Sequence, residues 1–241
     1  MAYNYLGITN DVLGRFNETP LTSSNFSSAA GAYSVAKEGV NNAVRTINQQ
    51  TFNWPFNYIE EEETLSPGSM RYTYPNNSKT VDFNTFRIKR NSSFGNVTTP
   101  LKQMDYEEYL SRHIDDEYNT SDTGIRGLPR SIIRSPNQEF IVHPSPDQAY
   151  EIVFEHYTLP VDLVLFTDIP SLPEAFRHII TEGASVYMHK FQSDYENADR
   201  ASAMFMQSIE AMRIIYVNRY EDVRDTRLHT HSSVSAYGSI S

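Results

Sequence analysis

The chain has 241 residues, a formal net charge of −10, 39% hydrophobic and 21% charged residues, and no cysteine. This describes an ordinary folded chain, long enough for one large domain or two small ones, and it excludes disulfides and thiolate chemistry. An acidic surface repels phosphates, which argues against tight nucleic-acid binding yet suits a wall that DNA slides past.

Residues 1–55 read as helical. Met1–Gly7 has neither a basic n-region nor an apolar h-region, so no secretory signal is expected. Thr9-Asn10-Asp11 can cap a short helix carrying Val12, Leu13 and Phe16, which Thr19-Pro20 ends. Tyr33, Ala36, Val40, Ala43, Val44 and Ile47 then recur at helical spacing, with Lys37, Asn41, Arg45 and Asn48 opposite. Residues 56–170 change texture. Phe56–Glu63, Arg71–Tyr74, Val81–Lys89, Ile132–Arg134, Glu139–Val142 and Tyr150–Leu159 read as strands, separated by Pro/Gly/Asn turns. A short helix, Asp105–Arg112, interrupts them. The longest apolar stretch, near Val161–Ile169, is cut by Asp162, Asp168 and Pro170; it falls short of the roughly 20 residues that span a bilayer, so no membrane association is expected.

Residues 171–223 return to helix. Ser171-Leu172-Pro173-Glu174 has the form of a capping box, followed by Phe176, Ile179, Ile180, Gly183, Val186, Tyr187 and Phe191 as one apolar stripe. Ser193-Asp194-Tyr195-Glu196 is a second cap, before Ala201, Met204, Phe205, Ile209, Met212, Ile215 and Tyr216. Two such helices with a short link predict an antiparallel hairpin. Residues 224–241 lose the pattern and read as an extended C-terminal tail whose apolar anchors are Val234, Tyr237 and Ile240. The predicted class is α+β: a helical bundle with an inserted β-rich domain, barrel or sandwich, and an extended tail.

Motifs of catalysis are missing: no G-x-G-x-x-G, Walker A loop, G-x-S-x-G or H-E-x-x-H occurs. No catalytic residue, cofactor or metal is expected. His229-Thr230-His231 is the only close histidine pair, and in a mobile tail it reads as solvated. Glu60-Glu61-Glu62-Glu63 reads as a charge run that protects a strand edge, since alternate members share a face. Asp115-Asp116-Glu117 reads similarly. Trp54-Pro55-Phe56 joins helix to strand; Trp54 reads either as a glycan-stacking platform or, preferred, as a core anchor where two domains meet.

Three stretches carry a family resemblance. The first is Asn10-Asp11-Val12-Leu13 through Glu18-Thr19-Pro20-Leu21 and on to Phe52-Asn53-Trp54-Pro55-Phe56-Asn57. The second is Pro100-Leu101 with Asp105-Tyr106-Glu107-Glu108-Tyr109-Leu110. The third is Tyr157-Thr158-Leu159-Pro160 with Asp168-Ile169-Pro170-Ser171-Leu172-Pro173-Glu174-Ala175-Phe176. In their order and spacing the chain resembles the head-to-tail adaptors of short-tailed phages, the tail tubular protein A family. The resemblance implies a homo-oligomeric ring of roughly twelve subunits at the head–tail junction of the virion, assembled in the host cytoplasm. It implies a portal protein above, a tail nozzle protein below, tail fibres at the side, and DNA only in passage. It implies no catalytic motif. It implies a C-terminal segment that reaches the portal, for which Val234, Tyr237 and Ile240 are the expected anchors. The alternative is a virion-associated protein that binds or hydrolyses glycans, resting on aromatic content and acidic runs.

Overall fold

A computed structural model describes residues 2–92, 95–118 and 126–217. Among them the protein is α+β, with six α-helices and two four-stranded sheets. The chain divides into two compact units, one formed by Met1–Phe56 with Pro160–Ser241 and the other by Asn57–Leu159.

The first unit contains α1 (Tyr5–Arg15), α2 (Ala32–Asn48), α5 (Arg177–Phe191) and α6 (Tyr195–Tyr216). Their apolar faces meet in one cluster that includes Ile8, Val12, Leu13, Val40, Ile47, Ile179, Ile180, Phe205, Ile209 and Met212. Full burial of each aliphatic side chain stabilises by about 1.5–3 kcal/mol. The helix starts differ from expectation. Asn4, rather than Thr9-Asn10-Asp11, caps α1 by accepting a hydrogen bond from the Gly7 N–H at 2.8 Å. Asn10 instead clamps the chain after the helix, exchanging hydrogen bonds with the Leu21 backbone at 2.7 and 2.9 Å. The predicted box at Ser171 does not cap: Glu174–Phe176 forms a 3-10 turn before α5, and neither receives a side-chain cap. Asp194 caps α6 by accepting from the Asn197 N–H. Its stripe is also narrower than predicted. Phe205, Ile209 and Met212 are buried, but Met204 and Ile215 point outward.

The second unit contains β1 (Tyr58–Leu65), β2 (Arg71–Thr73), β3 (Ser78–Ser92), β4 (Gly95–Pro100), β5 (Lys102–Met104), α3 (Tyr106–Arg112), α4 (Ile114–Tyr118), β6 (Ser131–Arg134), β7 (Glu139–His143) and β8 (Tyr150–Thr158). One sheet has the order β1-β8-β3-β4 and is antiparallel throughout; the other has the order β2-β7-β6-β5, with β5 and β6 parallel. Both sheets are open, so the barrel alternative is excluded. Their facing sides share a core of Leu65, Tyr72, Phe86, Ile88, Ile132, Phe140, Val142, Ile152 and Phe154. Phe86 stacks on Phe154 with centroids 4.7 Å apart, and Phe140 of the other sheet lies 5.2 Å from Phe86. The second sheet is apolar on its other side too. Ile133 and Ile141 pack there with Met70 and Tyr109, the latter from α3, and Ile114 rests against the same cluster. Burial on both faces explains the unbroken apolar runs Ile132-Ile133 and Phe140-Ile141-Val142.

Candidate functional site

Pro160–Pro170, read from sequence as the end of the β-rich region, belongs instead to the helical unit. The first N–H groups of a helix have no partner within it. In α1 two of these donors are taken up by this segment: the Tyr5 N–H donates to the Asp168 carbonyl at 2.7 Å and the Leu6 N–H to the Phe166 carbonyl at 3.1 Å. Asn41 of α2 exchanges two hydrogen bonds of 3.0 Å with the Leu163 backbone. Arg45 pairs with Asp162. The Asp168 carboxylate accepts from the N–H groups of Val164 and Leu165, each at 2.7 Å.

That fixed loop turns Leu163 into the core and leaves Val161, Val164, Leu165, Phe166 and Ile169 outside, the valines 78% and 72% exposed. Single exposed apolar residues are ordinary, but five within nine consecutive positions form a patch, and patches mark contact surfaces. Along α6, Met204, Met206, Ile214 and Ile215 are each about half exposed, with Met206 turned to a different side of the helix from Met204 and Ile215.

The acidic runs resolve by strand and helix geometry. β1 lies at the edge of its sheet, and its glutamates alternate in burial. Glu60 pairs with Arg87, and Glu62 accepts from Lys89 at 2.6 Å, a hydrogen bond that draws the Glu62 carboxyl below its ordinary pKa. Glu61 and Glu63 lie opposite Phe154 and Ile152 on the core side. Burial raises the Glu63 carboxyl, and the neighbouring charge of Glu61 raises it further. Inward carboxylates at an edge oppose pairing with another chain.

His156 of β8 sits between Ser78 and Glu61. Its Nδ1 is 2.8 Å from Ser78 Oγ, and its Nε2 is 3.8 Å from a Glu61 oxygen, beyond hydrogen-bond distance. The ring is fully buried, and burial lowers its pKa against the opposing pull of Glu61. This is a core histidine at a sheet margin.

In Asp115-Asp116-Glu117, helical rotation sends three carboxylates three ways. Asp115 is exposed. Glu117 takes a paired hydrogen bond from Arg71 and another from the Tyr109 hydroxyl at 2.8 Å. Asp116 faces two imidazoles: His143 Nε2 at 3.1 Å and His113 Nδ1 at 3.5 Å. Sequence reading missed this grouping because His113 and His143 are far apart in the chain and meet only through the packing of α3 and α4 on the second sheet.

Trp54 is buried in the helical unit, its Nε1–H donating to the Ile47 carbonyl at 2.7 Å and its ring stacked 5.4 Å from Phe56. Val234, Tyr237 and Ile240, and the His229/His231 pair, lie outside the described residues.

Exposed apolar side chains on the 160–170 loop and on α6, rather than a catalytic grouping in the acidic run of β1, are the surface features the helical unit presents. The family model described as SU10 adaptor protein matches residues 3–232, and the chain belongs to that family of structural phage proteins, which places it in the virion. No curated protein matches the sequence.

Proposed function

We propose that the protein is the repeating subunit of a ring, roughly a dodecamer, joining the portal to the tail nozzle and lining the channel through which the genome leaves. The ring sits at the head–tail junction and assembles in the host cytoplasm; tail fibres attach at its side. In this reading the four helices form the ring-building bundle, and the β-rich unit is an insertion that meets tail components. Residues 224–241 reach the portal through Val234, Tyr237 and Ile240.

The observation that carries the reading is the fixed apolar loop. Its hydrogen bonds are made within the subunit before any partner arrives, so Val164, Leu165, Phe166 and Ile169 are presented in a set arrangement and lose little freedom on docking. A neighbouring copy is the occupant we assign, because head-to-tail contact around an axis joins a patch on each subunit to a different, complementary surface on the next, and the preset loop supplies one of the two. The overall negative charge suits a passage that must not retain DNA.

Co-expression with the portal and negative-stain imaging tests this. Rings capping the portal are expected. The double variant Leu165→Glu/Phe166→Glu should leave the monomer's melting temperature unchanged and abolish the rings. Rings that persist would remove the loop from the interface, and portal particles that never gain density would remove the adaptor role.

A further inference from the structure

The geometry points to a divalent-metal site, of the zinc class, formed by His113, Asp116 and His143. Three properties carry it.

The first is the donor set. Two imidazoles and one carboxylate are borderline ligands, which suit zinc and its first-row neighbours rather than calcium or magnesium. The second is the spacing. Bonds of about 2.0–2.1 Å at tetrahedral angles place neighbouring ligand atoms about 3.3–3.4 Å apart. The observed separations, 3.1 Å from Asp116 Oδ2 to His143 Nε2 and 3.5 Å from the same oxygen to His113 Nδ1, bracket that value. All three ligand atoms lie within 4.8 Å of one another. The third is support. His143 ends β7, with its carbonyl accepting from the Arg130 N–H and its Cα registered against Ser131. His113 closes α3, its N–H donating to the Tyr109 carbonyl. Asp116 is flanked by Ile114 in the apolar cluster and by Glu117 bound to Arg71, so α4 is held on both sides of the ligand.

The three side chains are 14–28% exposed, close enough to the surface for an ion to enter and shielded enough to hold it. With three protein ligands, the remaining position falls to water or to a group from another chain. The metal would tie α3 and α4 to β7, fastening the helical excursion to its sheet. The competing account is a plain hydrogen bond between His143 and Asp116 with His113 stacked beside it, at a ring separation of 4.1 Å.

The full-length protein, stripped with chelator, is titrated with Co2+ and then with Zn2+. The expected result is one equivalent bound, with the intense visible absorption of tetrahedral Co2+, bleached by zinc, and a rise in melting temperature with zinc. Asp116→Asn retains hydrogen bonding to His143 but is a poor ligand; it should keep the metal-free melting temperature and lose affinity by at least about 10–100-fold. His113→Ala should do the same. A His229→Ala/His231→Ala double variant should bind like the parent. No stoichiometric Co2+ uptake by the parent overturns the site. So does binding that survives in Asp116→Asn and His113→Ala, or that disappears only in the His229/His231 variant.

Discussion

Gly183 on α5 lies so close to Ala43 on α2 that a methyl group added to it would stand 2.7 Å from the Ala43 Cβ, and equally close to the Phe205 ring. The relation is repeated along the same pair of helices, where a Cβ on Gly39 would come 3.0 Å from the Ala184 carbonyl oxygen. Small residues on both sides let the two backbones approach. Alanine would gain about 1 kcal/mol in helix propensity, but overpacking costs about 1–3 kcal/mol, and the Ala43 methyl cannot rotate away. Gly183→Ala is therefore expected to lower the melting temperature, read by circular dichroism. An unchanged or raised value would show that α2 and α5 can separate without penalty.

Arg71 holds Glu117 by two hydrogen bonds, and this contact keeps the Glu117 carboxyl below its ordinary pKa. The stabilisation is full above the unfolded carboxyl value and is lost as pH falls through the lower folded value. Glu117→Gln should cost about 1–3 kcal/mol at neutral pH, toward the low end because water reaches Arg71. Parent and variant should converge under acid, as measured by urea midpoints. A gap that stays constant with pH would rule out the charge as its source.

His156 works in the opposite chemical sense. Burial lowers its pKa from the ordinary 6.5, so between the folded and unfolded values the unfolded chain binds more protons. Its contribution to stability is complete above the unfolded value and declines as pH falls below it. The urea midpoint of the parent should therefore drop between about pH 7.5 and 5.5, and His156→Gln should flatten that drop. Identical slopes in the two proteins would remove His156 as the cause.

Glu63 faces the core at the rim of β1 and carries a raised carboxyl pKa. Glu63→Val removes a desolvated charge and should leave stability equal or slightly higher. It also removes a guard against strand addition. Light scattering on heating should show earlier aggregation in the variant although its melting temperature is no lower. Equal scattering would mean the edge is protected by something other than this residue.

Much of the fold could be read from the sequence because local pattern and burial agree. The six strands predicted from β-branched and aromatic runs all exist, and α2 follows its apolar spacing, while α5 and α6 form with narrower buried stripes than expected, Phe191, Met204 and Ile215 lying exposed. β4 and β5 escaped because Gly95–Pro100 and Lys102–Met104 have little apolar alternation; their place comes from pairing with β3 and β6. α4 escaped because Ile114–Tyr118 is five residues of mostly acidic side chains, held by Arg71 and the apolar cluster rather than by propensity. The loop at 160–170 looked like the tail of a sheet, since its apolar residues gave no sign that backbone groups of α1 and α2 would claim it. The histidine–aspartate cluster was invisible for a related reason: helix packing on a sheet, not spacing along the chain, brings its members together.

The chain has one tryptophan, and Trp54 is 1% exposed among Phe52, Phe56 and Ile47 of the helical unit. Its emission is therefore a private channel onto one half of the molecule. Unfolding of the helices shifts it to the red, while events confined to the two sheets pass without a signal. Paired with circular dichroism, which averages over both units, a single unlabelled sample can report which part of the adaptor yields first when heated, acidified or docked.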